Sequence, residues 1–315
     1  MSLIPLAWIQ QAAERIAPHI KHTPLTFDAG LGVYIKWENH QVTGSFKARG
    51  ALNKVLCLQD WESQKGLVTA SAGNHGQGVA LAGNLLQSPT IVFASDHAVP
   101  DKIAAMQHLG AEVRLVNGGY GEAEAAAITY AKQANATWIS PYNDGLVVAG
   151  QGTVGLELLQ DLAQNETDNW IVPIGGGGLA SGIGAVLHSQ TRHPSLIAVQ
   201  SEASPFMHAI FHTGSQEGVV ELESLADGLA GPVEAGSVTI PMVNRFVDDF
   251  ILVSEQEIAQ AIAYAWHHYH ERIEGSAAVS LAAVMAGKVN KHPSVVIISG
   301  GNIQPEVHAH LLSVK

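Results

Sequence analysis

The sequence contains one cysteine, Cys57, in 315 residues. No internal disulfide can form, which suits a reducing compartment such as the cytoplasm, and Cys57 is expected to be buried as a small hydrophobe. Charged side chains are scarce too, at 14%, against 47% apolar residues. That balance leaves little room for disordered tracts and provides enough apolar surface for a sizeable core. Basic residues are the scarcer charges: 16 Lys and Arg against 28 Asp and Glu, a formal net charge of -12. Such a surface repels phosphate backbones and anionic lipid, so neither nucleic acid nor a membrane is an expected partner. No apolar run reaches the roughly 20 residues of a membrane span. Met1-Ser2-Leu3-Ile4-Pro5 lacks the basic flank and apolar run of a secretory signal.

Histidine is plentiful at 16 residues, but the spacing is poor for a metal. His268 lies one residue from His267 and two from His270, separations that do not share a helical face. His19, His22 and His40 are scattered, and all of these are expected on the surface.

The pattern along the chain is alternation. A helix over residues 6–17, carrying Leu6, Ile9, Ala12, Ala13 and Ile16, ends at Pro18; His22 to Leu25 is extended ahead of a strand at 33–38. Strands at 66–70, 90–94, 112–116 and 138–139 then alternate with helices at 76–86, 100–109 and 121–133. The alternation restarts with a helix at 152–164, a strand at 170–174, a helix at 179–188 and a strand at 196–200. After an irregular segment, 206–241, come a strand at 250–253, helices at 255–268 and 276–286, and a strand at 294–298. Repeated β-α units predict an α/β fold with two open, twisted, mostly parallel sheets flanked by helices. Residues 53–145 are expected to form a small domain, and residues 1–52 with 146–315 a large one.

Thr43-Gly44-Ser45-Phe46-Lys47-Ala48-Arg49-Gly50 is the stretch on which function turns. Ser45 is a candidate N-cap, and Phe46, Ala48, Ala51, Leu52, Val55 and Leu56 recur at helical spacing, so Lys47 falls in a first helical turn. The positive end of the helix dipole favours the neutral amine there, and a neutral amine is a nucleophile towards carbonyls. Gly175-Gly176-Gly177-Gly178-Leu179 joins an apolar strand to a helix, a backbone arrangement that can cradle a phosphate. It lacks the lysine and Ser/Thr of a P-loop. Ser71-Ala72-Gly73-Asn74-His75 makes a second strand-to-helix turn able to hold a carboxylate on its amides. Ser299-Gly300-Gly301-Asn302 ends the last strand.

These four motifs, in this order, resemble the fold-type II pyridoxal-phosphate enzymes (the tryptophan synthase β-like fold), and within them the serine/threonine dehydratase and serine racemase family. The likeness runs over nearly the whole chain. It implies pyridoxal 5'-phosphate as cofactor, held as a Schiff base by Lys47 and contacted by Phe46, Asn74, Gly175, Gly176, Gly177, Gly178, Leu179, Glu274 and Ser299. It implies a substrate carboxylate bound by Ser71, Ala72, Gly73, Asn74 and His75, with Lys47 the base. Glu38-Asn39 and Asp227-Gly228 also fit family patterns. For His75 a packing or capping role is favoured over proton transfer. Ser299 facing the pyridine nitrogen would leave the ring a weaker electron sink, which suits elimination.

Two departures matter. Serine racemases carry a serine where Ala72 stands, and Ala72 cannot move a proton, so the chain is more similar to the dehydratases. The family's cation site pairs a glutamate with an aspartate six residues on; here Glu202 is followed by His208, and no metal is expected. The expected activity is dehydration and deamination of a small-molecule amino acid, L-threonine or L-serine first, by a cytoplasmic homodimer. A racemase or a dehydratase for hydroxyaspartate or phenylserine is the alternative within the fold, and a non-catalytic nucleotide-binding protein the alternative outside it. Little chain follows Asn302, so a C-terminal regulatory domain and its feedback inhibition are not expected.

Overall fold

The computed structural model describes residues 4–163, 165–290 and 293–313. Ten strands form: Leu25–Asp28 (β1), Val33–Trp37 (β2), Leu67–Ala70 (β3), Thr90–Ser95 (β4), Glu112–Val116 (β5), Thr137–Trp138 (β6), Asn169–Pro173 (β7), Ser195–Ser201 (β8), Asp249–Val253 (β9) and Ser294–Ile298 (β10). Between them lie helices Leu6–Ile16 (α1), Lys47–Leu56 (α2), Asp60–Gln64 (α3), Asn74–Leu85 (α4), Pro100–His108 (α5), Tyr120–Ala134 (α6) and Gly145–Leu162 (α7). Gly178–Leu187 (α8), Phe206–Thr213 (α9), Thr239–Phe246 (α10), Glu255–Tyr269 (α11), Gly275–Met285 (α12) and Pro305–Ser313 (α13) complete the set.

One sheet runs β1-β2-β10-β7-β8-β9 and the other β5-β4-β3-β6. All pairings are parallel except β1 with β2. The alternation of the strands sets the two faces of the larger sheet. Val33, Ile35, Ile171 and Val199 pack with α11 and α12 through Ile258, Ile262, Ala278 and Leu281. Trp170, Val172, Ala198 and Ile297 face α7 and α8 through Leu158 and Ile183. A parallel sheet covered on both sides is the arrangement such apolar strands demand.

The consequence for function is positional. β2, β10 and β7 are adjacent and parallel. Their carboxyl ends lead into the Lys47 stretch, the Ser299 stretch and the glycine run. In the smaller sheet β3 leads into the Ser71 loop. Crevices at the carboxyl ends of parallel strands are where α/β folds bind ligands.

Several sequence expectations need correction. Ser45 does not cap α2: Phe46 is the N-cap residue with no side-chain cap, because Ser45 is drawn into a backbone bridge with Gly300. Cys57 is only half-buried, since it closes α2 just where the helix emerges. The helix expected at 152–164 begins at Gly145, where Asp144 accepts from the Leu146 and Val147 amides at 2.7 and 3.3 Å; Gln164 lies outside the described residues. The irregular 206–241 segment contains α9, the start of α10 and a 3-10 turn, Asp227–Leu229. β1, α3 and α13 were not anticipated; each is short, and tertiary packing rather than a long periodic pattern defines it.

Candidate active site

The lysine stretch is shaped by the last strand's extension. The Phe46 amide donates to Ser299 O at 3.0 Å and the Gly301 amide to Gly44 O at 2.9 Å, so residues 44–46 run against 299–301. Gly44 has φ +71° and is pressed by Asn302, which only glycine tolerates easily. α2 then begins at Lys47 itself. Lys47 points inward: its Nζ donates to Pro141 O at 3.2 Å and lies 5.3 Å from the centre of the Phe46 ring. Burial lowers its pKa to about 8 against the opposing pull of Glu274.

Glu274 is buried at the N-terminus of α12. Burial and then Asp227 push its carboxyl up to about 7, with Lys102, Asn74 and Lys47 pulling the other way. Asn74 Nδ2 donates to Glu274 Oε1 at 2.6 Å, and Asn302 Nδ2 donates to Asn74 Oδ1 at 2.6 Å. This chain fixes which end of the Asn74 amide faces the carboxylate.

The glycine loop is required by space. A Cβ on Gly176 would enter the Tyr142 ring, and one on Gly178 would stand 3.2 Å from Tyr142 Cβ. Gly177 has φ +86° and caps α8. Thr239 Oγ1 donates to Gly176 O at 2.6 Å, turning that peptide so that its amide side faces away from Thr239. The amides of Gly175, Gly176 and Gly177 find no acceptor among the described residues. Unsatisfied amides ahead of a helix start are what a phosphate needs. Leu179 is buried in the core beneath this loop.

In the second loop Ser71 Oγ accepts from the Gly73 amide at 3.0 Å, and α4 starts at Asn74. Ala72 is exposed. His75 is buried, with Nε2 at 3.1 Å from Ile139 O. Burial, and then the Lys47 charge, lower its pKa to about 3. That favours the uncharged ring at neutral pH. Ser299 is also buried.

The structure thus brings Lys47, Phe46, Asn74, Glu274, Ser299 and both amide loops together at the carboxyl ends of the strands. Glu202, at the end of β8, is exposed, while the His208 ring packs on His212 and Phe250. Sequence reasoning missed Pro141, Tyr142, Thr239 and Lys102. Nothing in the local pattern marks them, since each enters the site through a tertiary contact.

The family described as pyridoxal-phosphate dependent enzyme matches residues 14–300. The chain belongs to this family of pyridoxal-phosphate dependent enzymes. Its similarity to L-threonine ammonia-lyase of Geobacter sulfurreducens is 39% identity over 309 residues, covering 96% of this chain and 76% of that one. With a catabolic L-threonine dehydratase of Escherichia coli it shares 40% identity over 275 residues, 86% and 83% of the two chains. The structure of maize serine racemase superposes with a TM-score of 0.90 at 28% identity, covering 98% and 97%. The fold and cofactor expected from the motifs are those of this pyridoxal-phosphate dependent enzyme.

The residues present fit the cofactor. Four glycines leave a cradle with free amides, and the half-buried Lys47 amine meets Pro141 O, next to the Tyr142 that packs on that cradle. The neutral amine is the form that captures an aldehyde. Cofactor-free protein is therefore expected to take up pyridoxal phosphate about tenfold faster per pH unit up to about 8, then level off. Stopped-flow absorbance between pH 6 and 9.5 checks this; a flat profile contradicts a Lys47 amine that titrates near 8.

Proposed function

We propose that this chain is an ammonia-lyase that dehydrates and deaminates a β-hydroxy amino acid, with L-threonine or L-serine as substrate. The observation that carries it is one half-buried lysine amine of lowered pKa together with two strand-to-helix loops, Gly175–Gly178 and Ser71–His75, whose form suits anions. One loop suits the cofactor phosphate and the other a substrate carboxylate. The relatives named as threonine ammonia-lyase and threonine dehydratase support the same reading.

Pyridoxal phosphate, when bound, supplies an aldehyde that captures a primary amine and a ring that draws electrons from the adjacent carbon. Gly175, Gly176, Gly177 and Gly178 would hold its phosphate, with Leu179 beneath; Phe46, Asn74, Glu274 and Ser299 would surround the ring, and Lys47 would anchor it. The Ala72, Asn74 and His75 amides orient the substrate by its carboxylate, while those of Ser71 and Gly73 donate to Phe93 O and Ser71 Oγ. Lys47 Nζ then takes the Cα proton. The β-hydroxyl leaves as water, and one water is consumed on hydrolysis, so the net products are a 2-oxo acid and ammonia. Ala72 offers no proton on the opposite face, which favours elimination over racemisation.

Residues 53–145 as a small domain, the rest as a large one, is the division we propose; β3 to β6 lie wholly within the first span. A cytoplasmic homodimer is part of the same reading, supported by the family likeness and a lone cysteine.

The test is 2-oxo acid and ammonia release from L-threonine, L-serine, D-serine, 3-hydroxyaspartate and phenylserine. Equal release of both products from one L-hydroxy amino acid is expected. Silence across the panel from cofactor-loaded protein overturns the reading, and chiral analysis of the same mixtures would then detect racemisation.

A further inference from the structure

The two anion loops are carried by different sheets, and one side chain spans them. Lys102 stands in the first turn of α5. Its Cδ lies 3.4 Å, and its Nζ 3.8 Å, from where a Cβ on Gly73 would be. The same Nζ donates to Asp227 Oδ2 at 2.8 Å. Asp227 opens the 3-10 turn Asp227–Leu229. That turn is seated on the opposite wall: the Gly228 amide donates to Ser276 Oγ at 2.8 Å, and the Leu229 backbone lies 3.0 Å from the Cβ position of Gly175. Lys102 therefore joins the carboxylate-side loop to a turn resting on the phosphate-side loop and on the start of α12.

Among the described residues it is the one ion pair that links residues 67–138 to the rest of the chain. The lysine side chain is 17% exposed and the aspartate 58%, so the ammonium is largely taken from water while its partner rims the crevice. A partly desolvated pair holds better than a fully solvated one.

We propose that Lys102 is a positioning residue that, through Asp227, clamps the two walls of the crevice over an amino-acid substrate. The proposal rests on the lyase reading above for its kinetic consequence, though not for the clamp itself. A carboxylate on the Ser71–His75 amides sits beside the Lys102 ammonium. Lys102 is then attracted from two sides, by the substrate and by Asp227, so substrate binding and closure favour each other.

The test compares holoenzyme with Lys102→Met, Asp227→Asn, the double variant and Lys102→Arg. Hydrogen exchange is followed without substrate at residues 100–104 and 227–229, and KM and kcat are measured with the best substrate of the panel. Lys102→Met and Asp227→Asn are each expected to speed exchange in both segments and to raise KM about tenfold with kcat little changed. The double variant should be no worse than either single one, and Lys102→Arg should keep the original KM. Unchanged exchange in Lys102→Met overturns the clamp whether or not any substrate turns over. Faster exchange with an unchanged KM, or additive losses in the double variant, overturns the positioning role.

Discussion

Lys47→Ala is expected to leave a folded protein that neither keeps its cofactor covalently nor turns over substrate. Proton transfer by a placed base is worth about 10²- to 10⁴-fold on its own, and Lys47 is also the anchor, so the fall in kcat should reach about 10⁴-fold or more. Folding should survive. The side chain makes one hydrogen bond, to Pro141 O, and burial already lowers its pKa to about 8, so the change removes a charge the interior disfavours. Lys47→Arg should not rescue, because a guanidinium stays protonated and is no nucleophile at neutral pH. Absorbance of the purified variant and its 2-oxo acid release check both halves. Turnover within tenfold of the parent protein would contradict the assignment.

Arg49→Met is expected to be the most destabilising single change near the site. Two residues after Lys47, Arg49 is wholly buried. It donates to Glu38 through Nε at 2.7 Å and Nη2 at 2.8 Å, and through Nη1 to Glu157 at 2.7 Å and Thr153 at 3.1 Å. Lys36, also buried, adds ion pairs to Glu157 at 2.8 Å and Asp161 at 3.0 Å. Removing the arginine strands Glu38 with Thr23 as its remaining side-chain donor. Breaking such a buried pair costs about 3–5 kcal/mol, and for a chain of this size that is on the order of 10 °C in Tm.

The network also predicts an acid limb. Burial raises the Glu157 pKa, but Arg49 and Lys36 outweigh it and leave the carboxyl below its ordinary value. A depressed folded pKa gives stability that is complete above the unfolded value and lost as pH falls through the folded one. Arg49→Met should remove part of that limb as well as lowering Tm at pH 7. Thermal melts at pH 7 and pH 4 measure both; an Arg49→Met melt within about 2 °C of the parent at pH 7 would contradict the account.

The sequence carried the site's backbone well and its side-chain surroundings poorly. Lys47 was placed in a first helical turn from the apolar spacing after it, although the supposed cap, Ser45, serves another strand. The glycine run and the Ser71 loop were legible because strand-to-helix turns rich in small residues have few other uses. Glu274 followed only from the family likeness, since a carboxylate at a helix start has an ordinary capping explanation. Tyr142, Thr239 and Lys102 were invisible: Tyr142 and Thr239 reach Gly176 from 34 and 63 residues away, and Lys102 reaches Gly73 from 29 residues away across β4. α7 was started seven residues late because Gly145, Gly150, Gly152 and Gly155 depress helix propensity. Space explains two of them: a Cβ on Gly150 would come within 2.5 Å of Arg49 O, and one on Gly152 within 2.9 Å of Gly182 O.

The most direct test is to reduce the purified holoenzyme with borohydride and map the peptides by mass. The account predicts a single pyridoxyl adduct, on the peptide containing Lys47. An adduct on any other lysine, or none on a protein that still releases 2-oxo acid, would contradict it.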